Sequence, residues 1–179
     1  MKNLNHLEGE TLLLMGSKAF PGKELPSTIC ELIDKAITDK MVVIVGEAPG
    51  ACRLFQDFLE SRQYDNVIVG HARSLRYNAG NWKTVQYGST LKDRERNMIE
   101  ACSSAIIIWH DKSGVIAENL ELLKELGKPT YIYEYSSKTQ EISEGWLDPN
   151  RTYDPYKYWK ESMRRRKGER DQKNKRLLF

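Results

Sequence analysis

The sequence predicts an α/β fold: a Rossmann-like, five-stranded, mostly parallel sheet with helices on both faces, followed by a basic C-terminal extension. Three observations predict it. Short β-rich apolar runs at 11–15, 41–45, 66–70, 105–109 and 130–135 alternate with segments of helical periodicity. Each gap between runs is long enough for the crossover that a parallel return requires. At 179 residues, with 40% hydrophobic and 30% charged residues, the chain is long enough to bury one sizeable core.

The elements follow in order. TLLLM (11–15) is the first strand, and 24–38 is a helix with Ile29, Leu32, Ile33, Ala36 and Ile37 on one face. MVVIV (41–45) is the second strand. GEAPGA then opens a helix over 50–62, with an apolar stripe of Ala51, Leu54, Phe55, Phe58 and Leu59. NVIVG (66–70) is the third strand, and a polar, Gly-bearing stretch leads from it to a helix at about 90–102. AIIIW (105–109), a helix over 114–126 and TYIYEY (130–135) complete the pattern. Residues 1–135 therefore form one Rossmann-like domain. Residues 136–179 are a loop and a basic tail, in which YKYWKESMRRRKGERDQKNKR has helical character but no broad apolar stripe.

Composition narrows the function. No run is long and apolar enough to span a bilayer, and MKNLNHLEGE lacks the apolar stretch of a signal peptide, so no membrane partner and a cytoplasmic location are expected. Cys30, Cys52 and Cys102 are widely separated with no C-x-x-C spacing and read as free thiols, and no metal site is indicated. The net charge of +3 is unevenly spread: residues 151–179 carry 11 Lys/Arg against 4 Asp/Glu, leaving the remainder mildly acidic.

In an open parallel sheet, ligands bind beyond the carboxyl ends of the strands, where chain progression reverses. Three turns are therefore candidates: GSKAFPG after the first strand, GEAPGA after the second and HDKSG after the fourth. Glycine lets backbone N–H groups approach a ligand, and a helix N-terminus following the turn favours phosphate. Ser17 and Ser113 add hydroxyl donors to this arrangement. The alternative is purely structural, with Ser113 as an N-cap and the glycines as turn formers. None of the turns is a Walker A or G-x-G-x-x-G sequence, so no ATPase or dehydrogenase chemistry, and no cofactor, is indicated.

Glu118 lies four residues past Gly114, in the first turns of its helix. A carboxylate there suits the oxocarbenium-like state of N-glycoside cleavage, as base or nucleophile, or else it simply favours a helix N-terminus. Lys92, Arg94 and Arg96 form a basic cluster in which only Lys92 and Arg96 share a helical face. Phosphate binding and solvated surface charge are its two readings.

Taken together these segments resemble the SLOG superfamily of Rossmann-like proteins, which includes the Lonely-guy phosphoribohydrolases, the DNA-uptake protein DprA and small nucleotide-binding members. The resemblance covers about residues 11–135 and is closest to the small members, with their GSR, GGARGAD, RN..M and W.GKS.GT..N patterns. The corresponding residues here are Gly16-Ser17-Lys18; Gly46-Glu47-Ala48-Pro49-Gly50-Ala51-Cys52; Arg96-Asn97 with Met98 nearby; and Trp109-His110-Asp111-Lys112-Ser113-Gly114 with Asn119. The resemblance implies a nucleotide or nucleotide-derived ligand, with phosphate near Ser113-Gly114 and Gly16-Ser17, and a homo-oligomer. It also implies a catalytic Glu at 118 and a phosphate-placing Arg at 96. The PGGYGT hallmark of the phosphoribohydrolases is absent, Val115 stands for Thr, Lys18 for Arg and Cys52 for Asp.

Three functions are consistent with this reading. One is an enzyme cleaving or transferring at an N-glycosidic bond of a nucleotide. Another is a non-catalytic module that senses or sequesters a nucleotide. The third is nucleic-acid binding through the basic tail.

Overall fold

The computed structural model describes residues 4–177. Twelve elements run in the order β1 (Thr11–Gly16), α1 (Ser27–Thr38), β2 (Val42–Val45), α2 (Ala51–Ser61), β3 (Val67–His71), β4 (Lys83–Gln86), α3 (Leu91–Ala101), β5 (Ser104–His110), α4 (Gly114–Glu125), β6 (Thr130–Tyr135), β7 (Ile142–Trp146) and α5 (Pro155–Leu177). The fold is α/β and Rossmann-like. The sheet has seven strands rather than five, in the order β4-β3-β2-β1-β5-β6-β7. All neighbouring pairs are parallel except β6 with β7.

The five expected strands form the contiguous centre of the sheet, and the two additional strands are its edges. Their composition explains why periodicity passes over them. KTVQ has only Val85 as an apolar residue, and ISEGW is exposed over its first three positions. Backbone pairing holds β4 to the sheet, and β7 adds Trp146 edge-on to Tyr131 and Glu144 accepting from Tyr131 and Thr28. The connection into β4 is organised by the buried Gln56 side chain, whose Nε2 donates to Gly46 O (2.7 Å) and Tyr77 O (3.2 Å) while its Oε1 accepts from Ala79 N (3.0 Å).

Alternation along the central strands sends side chains to two cores. Leu12, Leu14, Val43, Val45, Ile106 and Ile108 meet Ile29 and Ile33 of α1 and Phe55 and Leu59 of α2. Leu13, Ile107 and Trp109 face the opposite side, against Met98 and Ile99 of α3 and Leu120 and Leu123 of α4. Each such fully buried side chain contributes ~1.5–3 kcal/mol relative to exposure. The helix expected from 24 starts at Ser27, because Pro26 occupies the N-cap position with φ −56° and ψ 144°, outside the helical region.

The tail is a 23-residue helix. Its first turns dock on the body: Tyr158 meets Trp109 edge-on at 5.2 Å, and Tyr153, just before the helix, is buried against the same ring at 5.8 Å. Arg151 stacks over both Trp109 and Tyr153 and makes a two-pronged ion pair with Glu134. From Met163 onward the helix is exposed. No helix among the described residues is long and apolar enough to cross a membrane.

Candidate functional site

Chain progression reverses at β1. The chain moves outward from β1 through β2, β3 and β4, then returns to β5 on the other side of β1. The carboxyl ends of β1 and β5 therefore part around a crevice, the position where ligands bind in such sheets. Among the described residues a cavity of about 1010 Å³ opens there, large enough for a mononucleotide. A shallower hollow of about 390 Å³ beside Phe20 and Tyr133 has Glu24 as its one charged lining residue.

The floor of the crevice is the junction of β1 with β5. Ser17 N donates to Ile108 O (2.9 Å), and Ser17 Oγ accepts from His110 N (2.9 Å), so the hydroxyl is fixed while its own proton remains available to a ligand. Four of the candidate glycines are accounted for by close packing. A Cβ at Gly16 would come within 2.6 Å of the Ala51 Cβ, and one at Gly50, whose φ is +78°, within 2.3 Å of Lys18 O. At Gly46 it would come within 3.0 Å of the Cys52 Sγ, and at Gly114 within 3.1 Å of Pro155 O. The β1 turn is thus pressed against the start of α2, and the start of α5 against the start of α4.

The α4 N-terminus has no side-chain cap. Ser113 is its N-cap residue by backbone conformation, and Ser113, Val115 and Ile116 line the crevice. The first N–H groups of a helix lack intrahelical partners, so this turn presents free donors there. Trp109 Nε1 donates to Ser113 O (2.9 Å) and fixes the turn.

The sequence candidates divide into two sets. Gly16, Ser17, Lys18 and Gly46 line the crevice from the β1 and β2 side, and Ser113, Glu118 and Arg96 from the other. Glu47, Gly50, Asn97, Lys112 and Gly114 are not among the lining residues. Asn97 donates to Tyr87 O (2.6 Å), and Lys112 is exposed. Glu118 sits at the mouth, half exposed and 3.2 Å from Lys92, while Arg96 is largely exposed and lies 3.8 Å from Glu100.

Arg94 holds the inward position on α3. It is 5% exposed, and its Nη1 lies 2.6 Å from Glu47 Oε1. Arg76 grips the same carboxylate through Nε (2.5 Å) and Nη2 (2.9 Å). Burial alone would raise the Glu47 carboxyl, but the hydrogen bonds from Arg76 and the charges of Arg76 and Arg94 outweigh it and hold Glu47 below the usual carboxylate range. The Arg94 Nε is buried with no hydrogen-bond partner, and Arg94 lines the crevice. The helical period carries a signal for Arg94: it lies two residues from both Lys92 and Arg96, off the exposed face that those two share.

Glu95 is an inward residue that sequence reasoning passed over. It lines the crevice and accepts from Asn119 Nδ2 (3.0 Å). Burial pushes its carboxyl above the ordinary value; Asn119 and Arg94 pull it down, and the nearby charge of Glu118 adds to the rise. His110 also lines the crevice, stacked on Tyr135 at 5.8 Å, with Nε2 buried and without a hydrogen-bond partner. No group of three or more His, Cys, Asp or Glu able to hold a metal occurs among the described residues.

No protein-family model, curated protein or solved structure matches this chain.

Proposed function

We propose that this chain binds a nucleotide or nucleotide-derived ligand at the carboxyl edge of its sheet, in the manner of the SLOG proteins it resembles. The observation that carries the reading is the convergence of three kinds of anion donor on one crevice at the topological switch point. These are the fixed Ser17 hydroxyl, the uncapped first turn of α4 and the buried Arg94, whose Nε has no acceptor. A phosphate there meets backbone N–H groups and a helix dipole together.

Thermal unfolding in the presence of nucleoside monophosphates tests this. A ligand at ~100 times its dissociation constant adds about 2.7 kcal/mol of stability, which reads as a clear rise in Tm. No shift with any nucleotide or nucleotide sugar removes the proposal.

A second reading, turnover at the N-glycosidic bond, is favoured by one specific observation. Two carboxylates of different character, the part-buried Glu95 and the half-exposed Glu118, line the same crevice. Two carboxylates in different surroundings, flanking one bond, are the pairing such cleavage uses. Release of free base from a bound nucleoside monophosphate is the readout. Binding without release supports a sensing or sequestering module instead.

A further inference from the structure

We propose that α5 is part of the ligand site, with Arg165 and Arg166 binding the phosphate end of the nucleotide. The inference rests on the reading above and extends it to a segment outside the sheet-and-helix body.

The beginning of α5 is seated by Tyr158 on Trp109 and by the close approach that Gly114 permits. That seating directs the next turns across the mouth of the crevice, where Arg165, Arg166 and Glu169 become lining residues. Arg165 Nη2 donates to Asp111 O (3.0 Å), and His110, the preceding residue, is the one bonded to Ser17 Oγ. Arg165 and Ser17 are thus tied to consecutive residues of one strand end, and both face the same space.

The pairing of charges around the crevice points to the same role. The cations supplied by the body are mostly engaged: Arg94 and Arg76 with Glu47, Lys92 with Glu118, Arg96 with Glu100. Among the described residues Lys18, Arg165 and Arg166 form no ion pair within 4 Å; Arg165 donates to the Asp111 carbonyl, and its charge also favours the ionised Asp111 carboxylate at the crevice edge. The charge left for a dianion therefore sits on the β1 turn and on α5, on either side of the Ser17 hydroxyl and the α4 N-terminus. Guanidinium groups suit a phosphate monoester because they present parallel N–H donors. The packing of α5 accounts for Tyr158, but it supplies no reason for the exposed turns beyond Met163 to carry Arg165 and Arg166 over a cavity.

Calorimetric titration of the full chain and of Arg165→Ala/Arg166→Ala tests the proposal, with AMP, GMP, CMP and UMP, the four matching nucleosides and inorganic phosphate as probes. The expected result is a loss of at least ~10-fold in affinity for the best monophosphate, with affinity for its nucleoside unchanged. Arg166→Gln alone, which removes no bond within the described residues, gives part of the same loss without risk to the fold. A double variant that binds the monophosphate as tightly as the parent overturns the role of α5 and leaves the nucleotide reading standing. A variant that loses affinity for a single-stranded oligonucleotide but keeps its monophosphate affinity overturns it in favour of a nucleic-acid surface. If the parent chain binds none of the probes, the nucleotide reading falls and this proposal with it.

Discussion

Glu47 is a buried acid behind the crevice and Glu95 a part-buried acid lining it, and their surroundings push them in opposite directions. Glu47, at the end of β2, is gripped by two arginines and held below the usual carboxylate range. Glu95, on α3, is raised by its burial, with one amide hydrogen bond and a more distant Arg94 contact at 3.8 Å as its support. Burial raises both, and the difference lies in the donors: two arginines on Glu47 against one amide on Glu95. The β2 side is a finished ion-pair cluster that holds α3 and the 72–82 connection to the sheet. The α3 side retains an acid that lines the cavity and is held by one amide hydrogen bond.

The largest expected effect breaks the finished side. Glu47→Ala leaves Arg94 buried without its counter-charge and should cost ~3–5 kcal/mol in urea unfolding. A cost under ~1 kcal/mol would show that the cluster does not hold the fold.

The other side is sharpened by Glu95→Gln. If the chain turns over a nucleotide, base release should fall by ~100-fold while ligand binding persists, and equal rates would exclude Glu95 from the chemistry. Stability against pH separates the two acids with opposite signs. The folded-state pKa of Glu95 is raised, so its folded form binds the proton more tightly; its contribution is fullest at low pH and is lost as pH rises through the folded pKa. Glu95→Gln should flatten that part of the profile. Glu47 is lowered, so its contribution is present above the unfolded pKa and is lost as pH falls through the folded one.

The smallest effect concerns Arg96, the neighbour that the RN pattern singles out. Its exposed pairing with Glu100 is an i, i+4 contact, and Arg96→Ala should change stability by no more than ~0.5 kcal/mol. Ligand affinity equal to that of the parent would leave the phosphate role to Arg94.

Much of this was legible in the chain. Strands rich in buried Val, Ile and Leu announce themselves by composition, and strand-end Gly and Ser mark turns at the crevice, because both depend on neighbours in sequence. β4 and β7 were hidden because they bury little and are held by backbone pairing. The tail was legible as a basic segment of helical character without a broad apolar stripe, but not as a wall of the cavity. That depends on Trp109 meeting Tyr158 across the fold, which no local pattern records. Arg94 was read only as one of a basic cluster, and Glu95 was missed, because their inward direction depends on how α3 packs across the sheet. Lys92 and Arg96 share a helical face, and both are exposed.

The turn between β5 and α4 contains two consecutive non-glycine residues in the left-handed region, Asp111 at φ +51° and Lys112 at +48°. Asp111 is well supported there: its N–H donates to Tyr135 O (2.8 Å), and its carboxylate accepts from Ser137 N and Oγ. The next two residues are not. Among the described residues the amides of Lys112 and Ser113 donate to no protein acceptor, so water reaches their protons without any part of the sheet opening. In hydrogen–deuterium exchange the two amides are therefore labelled within the fastest class, next to a strand whose amides wait for rare openings. A ligand seated on this turn would leave its mark there as slowed labelling at two adjacent positions, against a silent background from Ile106 to Trp109.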